Sequence, residues 1–140
     1  GLDSRTSEQL ERLLVDQGKT VALPLNTKPV LRGDSHVFGL GMLNIEATNN
    51  QFSIDVALRQ VLDERDNDIK DAAMAKGDPL DWVLWNSDEI IIEENQHHKE
   101  PILVNIPENA LVGTYVFAAR VIKGDGTPYG NAQRFIVVAK

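Results

Sequence analysis

The chain has 140 residues, 42% of them hydrophobic and 25% charged, a composition that supplies one packed core and excludes a disordered, collagenous or coiled-coil chain. Fourteen Lys and Arg stand against 21 Asp and Glu for a net charge of -7, the wrong sign for neutralising phosphates, so nucleic acid is not expected as a partner. There is no cysteine, hence no disulfide framework, thiolate metal site or Cys nucleophile, and no stretch approaches the roughly 18 apolar residues of a membrane span.

In chain order, Ser7 with Glu8 and Gln9 reads as a helix start; Leu10, Leu13 and Leu14 then fall at i, i+3 and i+4, and Gly18 ends the run. The spacing predicts a short amphipathic helix over 6–17, either packed on the domain or forming the end of a longer helix. Residues 1–19 are accordingly set apart as an N-terminal helix and linker, and 20–140 as one β domain. Thr20–Leu23, closed by Pro24, and Lys28–Leu31, before the Arg32-Gly33-Asp34-Ser35 turn, read as short strands.

His36–Ile45 is a Gly-containing apolar run, and after the Thr48-Asn49-Asn50 turn Phe52, Ile54, Val56 and Leu58 alternate with Ser53, Asp55, Ala57 and Arg59. These two runs read as a hairpin. Asp68–Lys76 suits a short helix ended by Gly77-Asp78-Pro79, after which Trp82–Trp85 and Glu89–Glu93 resume β character. Ile102, Val104 and Ile106 alternate up to Pro107; Tyr115, Phe117, Ala119 and Val121 share a face of the next strand; Asp125-Gly126 and Tyr129-Gly130 bracket a loop; and Gln133–Ala139 closes the chain. About seven short strands, short helices only and no βαβ rhythm predict an all-β, two-sheet antiparallel sandwich carrying a short N-terminal helix and a small acidic, helical insertion.

The acidity is concentrated. Residues 61–100 hold twelve Asp and Glu and four Lys and Arg, a balance of -8, while the other hundred balance to +1. One end or face should therefore carry a negative potential, either a solvated face or a docking patch for a basic surface.

Val30-Leu31-Arg32-Gly33-Asp34-Ser35-His36-Val37-Phe38, leading to Leu43-Asn44, resembles the opening of bacterial and archaeal cell-surface β-sandwich modules, including the cell-adhesion-related bacterial domain and the module beside alpha-galactosidase carbohydrate-binding domains. Glu89 through Ile106 is similar to their middle. Pro107-Glu108-Asn109-Ala110-Leu111-Val112-Gly113-Thr114-Tyr115 resembles their Pro-x-x-Ala-x-x-Gly-x-Tyr corner, in which Pro107, Ala110, Gly113 and Tyr115 are structural. The resemblance spans roughly residues 20–140 and departs at the acidic segment 63–81. It implies an Ig-like fold outside the cytoplasm, at the cell surface, held there by an N-terminal membrane segment preceding this sequence. Similar sandwiches occur in accessory and stator proteins of the archaellum and in pilin-like subunits, so it also implies a protein partner in an envelope assembly or filament, with homo-oligomers among the possibilities.

Four candidate chemistries remain. Asp63, Asp66, Asp68 and Asp71 put four carboxylates in nine residues, which suits calcium although the spacing is not that of an EF-hand; the alternatives are a solvated loop or, for Asp63, Asp66 and Asp68, a protein-docking patch. Trp82 or Trp85 with Tyr129 can form a platform for a sugar ring or a protein partner, the alternative being core packing. Arg32-Gly33-Asp34 spells the integrin-recognition tripeptide, but Gly33 is also explained as a turn. His97 and His98 are adjacent and face opposite ways if extended, with His36 far off in sequence, so a surface loop is expected rather than a metal site. No Gly-x-Ser-x-Gly, His-Glu-x-x-His or Gly-x-x-x-x-Gly-Lys motif occurs, and no catalytic residues or cofactor are assigned. The expected function is therefore non-enzymatic contact between proteins, with a carbohydrate-binding accessory module and a calcium-dependent adhesin as alternatives.

Overall fold

The computed structural model describes residues 1–140. Two alternating strands explain where the core sits. Strand β4 (Gln51–Leu62) turns Phe52, Ile54 and Val56 inward, and β8 (Gly113–Lys123) turns Tyr115, Phe117, Ala119 and Val121 inward, because successive side chains of a strand point to opposite faces. Their register shifts between Leu58 and Gln60, which leaves Arg59 and Gln60 both exposed and returns Val61 to the interior.

The elements β1 (Val21–Ala22), β3 (Ser35–Leu43), β7 (His97–Asn105) and β5 (Val83–Leu84) form a four-stranded sheet in the order β1-β3-β7-β5. Opposite it, β2 (Thr27–Val30), β9 (Pro128–Ala139), β8, β4 and β6 (Ile90–Ile91) form a five-stranded sheet in the order β2-β9-β8-β4-β6. This is the expected Ig-like sandwich, with nine strands because each extended run, the two-residue ones included, pairs in one of the two sheets. All pairings are antiparallel except β2 with β9, which is parallel.

Several expectations are corrected. The runs β3 and β4 are not a hairpin: β3 pairs with β1 and β7, β4 with β6 and β8, so residues 44–50 cross from one sheet to the other. Buried Asn44 organises that crossing, its side-chain amide donating to the carbonyls of Asn49 and Ile92 at 2.8 and 2.7 Å while its oxygen accepts from Glu46 N–H. Tyr129-Gly130 lies within β9 rather than in a loop, and His97 and His98 lie in β7 opposite Leu43 and Met42. Trp82 ends a 3₁₀ turn (Pro79–Trp82), so only Val83 and Leu84 of the predicted 82–85 strand pair.

The N-terminal helix starts earlier than Ser7 suggests. Helix α1 (Ser4–Glu11) is capped by Asp3, whose carboxylate accepts the Thr6 N–H at 2.7 Å, and it continues as a π turn over Arg12–Asp16 before Gly18 at φ +67°. It packs across the outer face of the four-stranded sheet. Outward-facing Gly39 and Gly41 of β3 make the seat: a Cβ on Gly41 would lie 2.7 Å from both Leu10 Cδ2 and Leu14 Cδ1, and one on Gly39 2.6 Å from Thr6 Cγ2. Glu11 adds ion pairs to Lys99 at 2.9 Å and His97 at 3.2 Å. Residues 4–16 and the β domain thus share one packed interface. No helix is long and apolar enough to cross a membrane.

Leu10 and Leu14 are both 0% exposed on this second, smaller core. Leu10→Ala and Leu14→Ala are each expected to lower the unfolding free energy by about 2–4 kcal/mol in urea denaturation. A change within about 0.5 kcal/mol, the size of an ordinary surface substitution, would mean that the helix is not seated there.

Candidate functional site

The corner residues come together as their spacing implies. The Tyr115 hydroxyl donates to the carbonyl of Leu111 at 2.7 Å, its ring packs against Trp82 with centroids 4.7 Å apart, and Ala110 is buried beside it. Gly113 is required by proximity, not by dihedral freedom: a Cβ there would stand 2.7 Å from the backbone oxygen of Leu62. Pro107 begins the turn, its carbonyl accepting the Ala110 N–H at 3.2 Å.

The Arg32-Gly33-Asp34 tripeptide is part of the same construction. Gly33 sits at φ +92° and donates its N–H to Ile106 at 2.7 Å, the Asp34 carbonyl accepts from Ile106 N–H, and the Arg32 guanidinium donates to the Ala110 carbonyl at 3.3 Å. The glycine is therefore the turn residue that the sequence suggests, and the arginine braces the corner.

The acidic quartet does not gather. The Asp63 carboxylate is turned into its own loop, accepting the N–H groups of Arg65 and Asn67 at 2.9 Å each, and these bonds hold its pKa below the ordinary value. Asp68 accepts the Lys70 N–H at the start of α2 (Lys70–Ala75), Asp71 lies in that helix, and Asp66 occupies the left-handed region at φ 61°. No group of three or more His, Asp or Glu side chains lies close enough together to hold a metal ion. As a docking patch, exposed Asp66 and Asp68 remain available, whereas Asp63 is committed to the loop.

The aromatic platform is also taken apart by the fold. Tyr129 is 6% exposed, its ring against Phe52, and its hydroxyl accepts from Ile45 N–H and donates to the Leu43 carbonyl at 2.6 Å. It ties the crossing segment to β9 and is unavailable to a sugar or a partner. Trp82 packs on the corner tyrosine, and half-buried Trp85 donates its indole N–H to the Ile54 carbonyl of β4 at 3.0 Å. Trp85 thereby closes the β5 edge of one sheet over the β4 edge of the other, and it also lines a shallow groove of about 410 Å³ with Leu84 and Leu103.

What the sequence did not single out is a difference between the two flanks. On one flank, residues 63–96 wrap the β4, β5 and β6 edges, so the acids line a flank rather than one end or face. On the other, the first extended segment changes sheets: Val21 and Ala22 pair with β3, Leu25 turns at φ 52°, and Thr27–Val30 pair with β9. The parallel ladder begins where Ile136 N–H donates to the Asn26 carbonyl at 2.7 Å and ends where Lys140 N–H donates to the Val30 carbonyl at 3.0 Å. Alternate residues of a strand offer their backbone groups to the same neighbour, so Arg134 points its N–H and C=O to this side too, beyond the reach of β2. The uncovered stretch opens on a groove of about 520 Å³ between β1 and β9, lined by Leu13, Lys19, Val21, Leu23, Asn131 and Gln133 among others.

No protein-family model and no curated protein matches the chain. Among solved structures it is similar to a family 123 glycoside hydrolase from Clostridium perfringens, described for glycolipid glycan hydrolysis, with TM-score 0.56, 16% identity, and coverage of 92% of this chain and 24% of that one. It is also similar to PapD-like domain 7 of human CEP192, with TM-score 0.53, 13% identity, and coverage of 87% and 84%. The Siglec domain of GspB gives TM-score 0.50 and 14% identity over 86% of this chain and 56% of that one. The chain spans 24% of the hydrolase, and likeness at these identities establishes the fold alone, an Ig-like β-sandwich.

Tyr115→Phe keeps the ring and removes the corner bond, so it should cost about 1–2 kcal/mol in urea denaturation. Burial holds the phenols of Tyr115 and Tyr129 above their ordinary value of 10.0. Stability should accordingly fall as pH rises past about 10, where the unfolded chain releases these protons and the folded chain keeps them. A Tyr115→Phe protein as stable as wild type would show that the corner bond contributes nothing.

Proposed function

We propose that this domain is a non-enzymatic contact module of an extracytoplasmic assembly at the cell surface, an archaellum, pilus or surface layer, docking other proteins through strand edges. The observation that carries the reading is the uncovered backbone of β9 at Arg134 beside the β1–β9 groove. An unpaired edge is a template for another strand, and main-chain hydrogen bonds supply affinity while neighbouring pockets supply selectivity. The surface setting rests on the resemblance of the 30–44 and 107–115 segments to cell-surface modules, as does attachment through an N-terminal membrane segment. With Tyr129 in the core and both Trp side chains engaged inside the fold, no observation favours the carbohydrate reading, and the scattered carboxylates favour no calcium-dependent one.

Arg134→Pro removes the N–H that points to the open side while leaving every residue that pairs with β2 in place, and proline is tolerated on strand edges. Capture from an envelope extract of the source cells, read by mass spectrometry, should show specific proteins with the wild-type bait that are lost with Arg134→Pro at unchanged melting temperature. Identical capture by both baits would refute edge docking. Capture that instead disappears when exposed Asp66 and Asp68 are reversed to lysine would place the contact on the acidic loop.

A further inference from the structure

The five-stranded sheet has two open edges of opposite character. At one end β6 pairs only with Gln51 and Phe52 of β4. Ile92 N–H donates to the Asn50 carbonyl, so Ile90 and Ile92 face β4 and the backbone of Ile91 faces outward, with its side chain 54% exposed. Asp88, Glu89, Glu93 and Glu94 are exposed on either side of it. At the other end stands the uncovered Arg134 stretch of β9, and the exposed cations there are Lys19 in the groove, Lys28 on β2 and Arg134 itself.

Strand direction fits as well. Since β9 is antiparallel to β8, β8 to β4, and β4 to β6, the outer edge of β6 runs antiparallel to β9. A second copy placed in the continuation of the sheet would therefore meet it in the more stable antiparallel sense, acidic rim against basic rim. The two edges are different surfaces, so each copy uses one and leaves the other free; such a head-to-tail contact repeats.

We propose that the partner at the β9 edge is a second copy of this chain, whose β6 edge, centred on Ile91, adds to β9 at Arg134 and extends the five-stranded sheet from copy to copy. The proposal rests on the edge-docking reading and specifies its occupant. Lys19, Lys28 and Arg134 of one copy face Glu89, Glu93 and Glu94 of the next. The short length of β6 makes each contact weak, so assembly depends on concentration and on salt.

Sedimentation velocity of the 140-residue protein tests this, with protein raised to about 1 mM. Wild type should self-associate at about 0.01 M salt and dissociate at about 1 M, where charges are screened within roughly 3 Å. Two folded variants, Lys19→Glu with Arg134→Glu and Glu89→Lys with Glu93→Lys and Glu94→Lys, should each stay monomeric, because each carries net charge of one sign on both edges. Mixed in equal amounts they should associate again, since each now offers the edge that the other lacks. Circular dichroism and melting temperature confirm that both fold. A wild type monomeric throughout, single variants that assemble like wild type, or a mixture that stays monomeric would each overturn the proposal. If any of these occurs while envelope capture remains sensitive to Arg134→Pro, edge docking stands and its occupant is a different protein.

Discussion

The structure depends on one short segment serving two sheets. Residues 21 and 22 pair with β3, and after four intervening residues the chain pairs with β9, with Leu25 held at φ 52° between them. A non-glycine residue in the left-handed region costs about 1–2 kcal/mol, so this turn is maintained by the pairing on either side of it. The switch fixes how far β2 covers β9, starts the ladder at Ile136, and leaves Arg134 bare. It also sets Val21 against β9, where a Cβ on Gly130 would lie 2.7 Å from Val21 Cγ2. The groove and the open edge follow from where that segment turns.

The opposite flank is handled in another way. There the chain spends residues 63–96 on wrapping the sandwich, with Trp85 bonded to β4 and a line of carboxylates outside. Charged, irregular cover of this kind discourages unwanted strand pairing, and it leaves β6 as a two-residue edge framed by acids. The acidic excess therefore lies on the surface of this flank, outside the core. Asp63 shows the limit of reading charge from sequence: its carboxylate builds the loop from within.

The core and the corner were legible because their signals are local. Alternation at Phe52–Val56 and Tyr115–Val121 states which side chains face inward, and the 107–115 spacing places a glycine and a tyrosine where a corner needs them. Partners were not legible, because period-2 alternation is the same whichever strand lies alongside. Thus β3 and β4, adjacent in sequence, sit in different sheets, and the Asn44 bonds that hold the crossing join residues far apart in the chain. The meaning of Gly39 and Gly41 within the 36–45 run emerges only with Leu10 and Leu14 above them. Tyr129 beside a glycine looked like a loop residue and is a core tie. The open edge was invisible for a related reason: it is defined by where β2 stops.

The account of function requires that the β9 edge be open in the isolated protein. Amide hydrogen exchange resolved by residue in dilute solution measures this directly, because protection follows hydrogen bonding and local opening. The Arg134 amide should exchange far faster than those of Ile136 and Lys140, which donate to Asn26 and Val30. An Arg134 amide as protected as Ile136 would show that the edge is already paired, and would remove the surface on which docking depends.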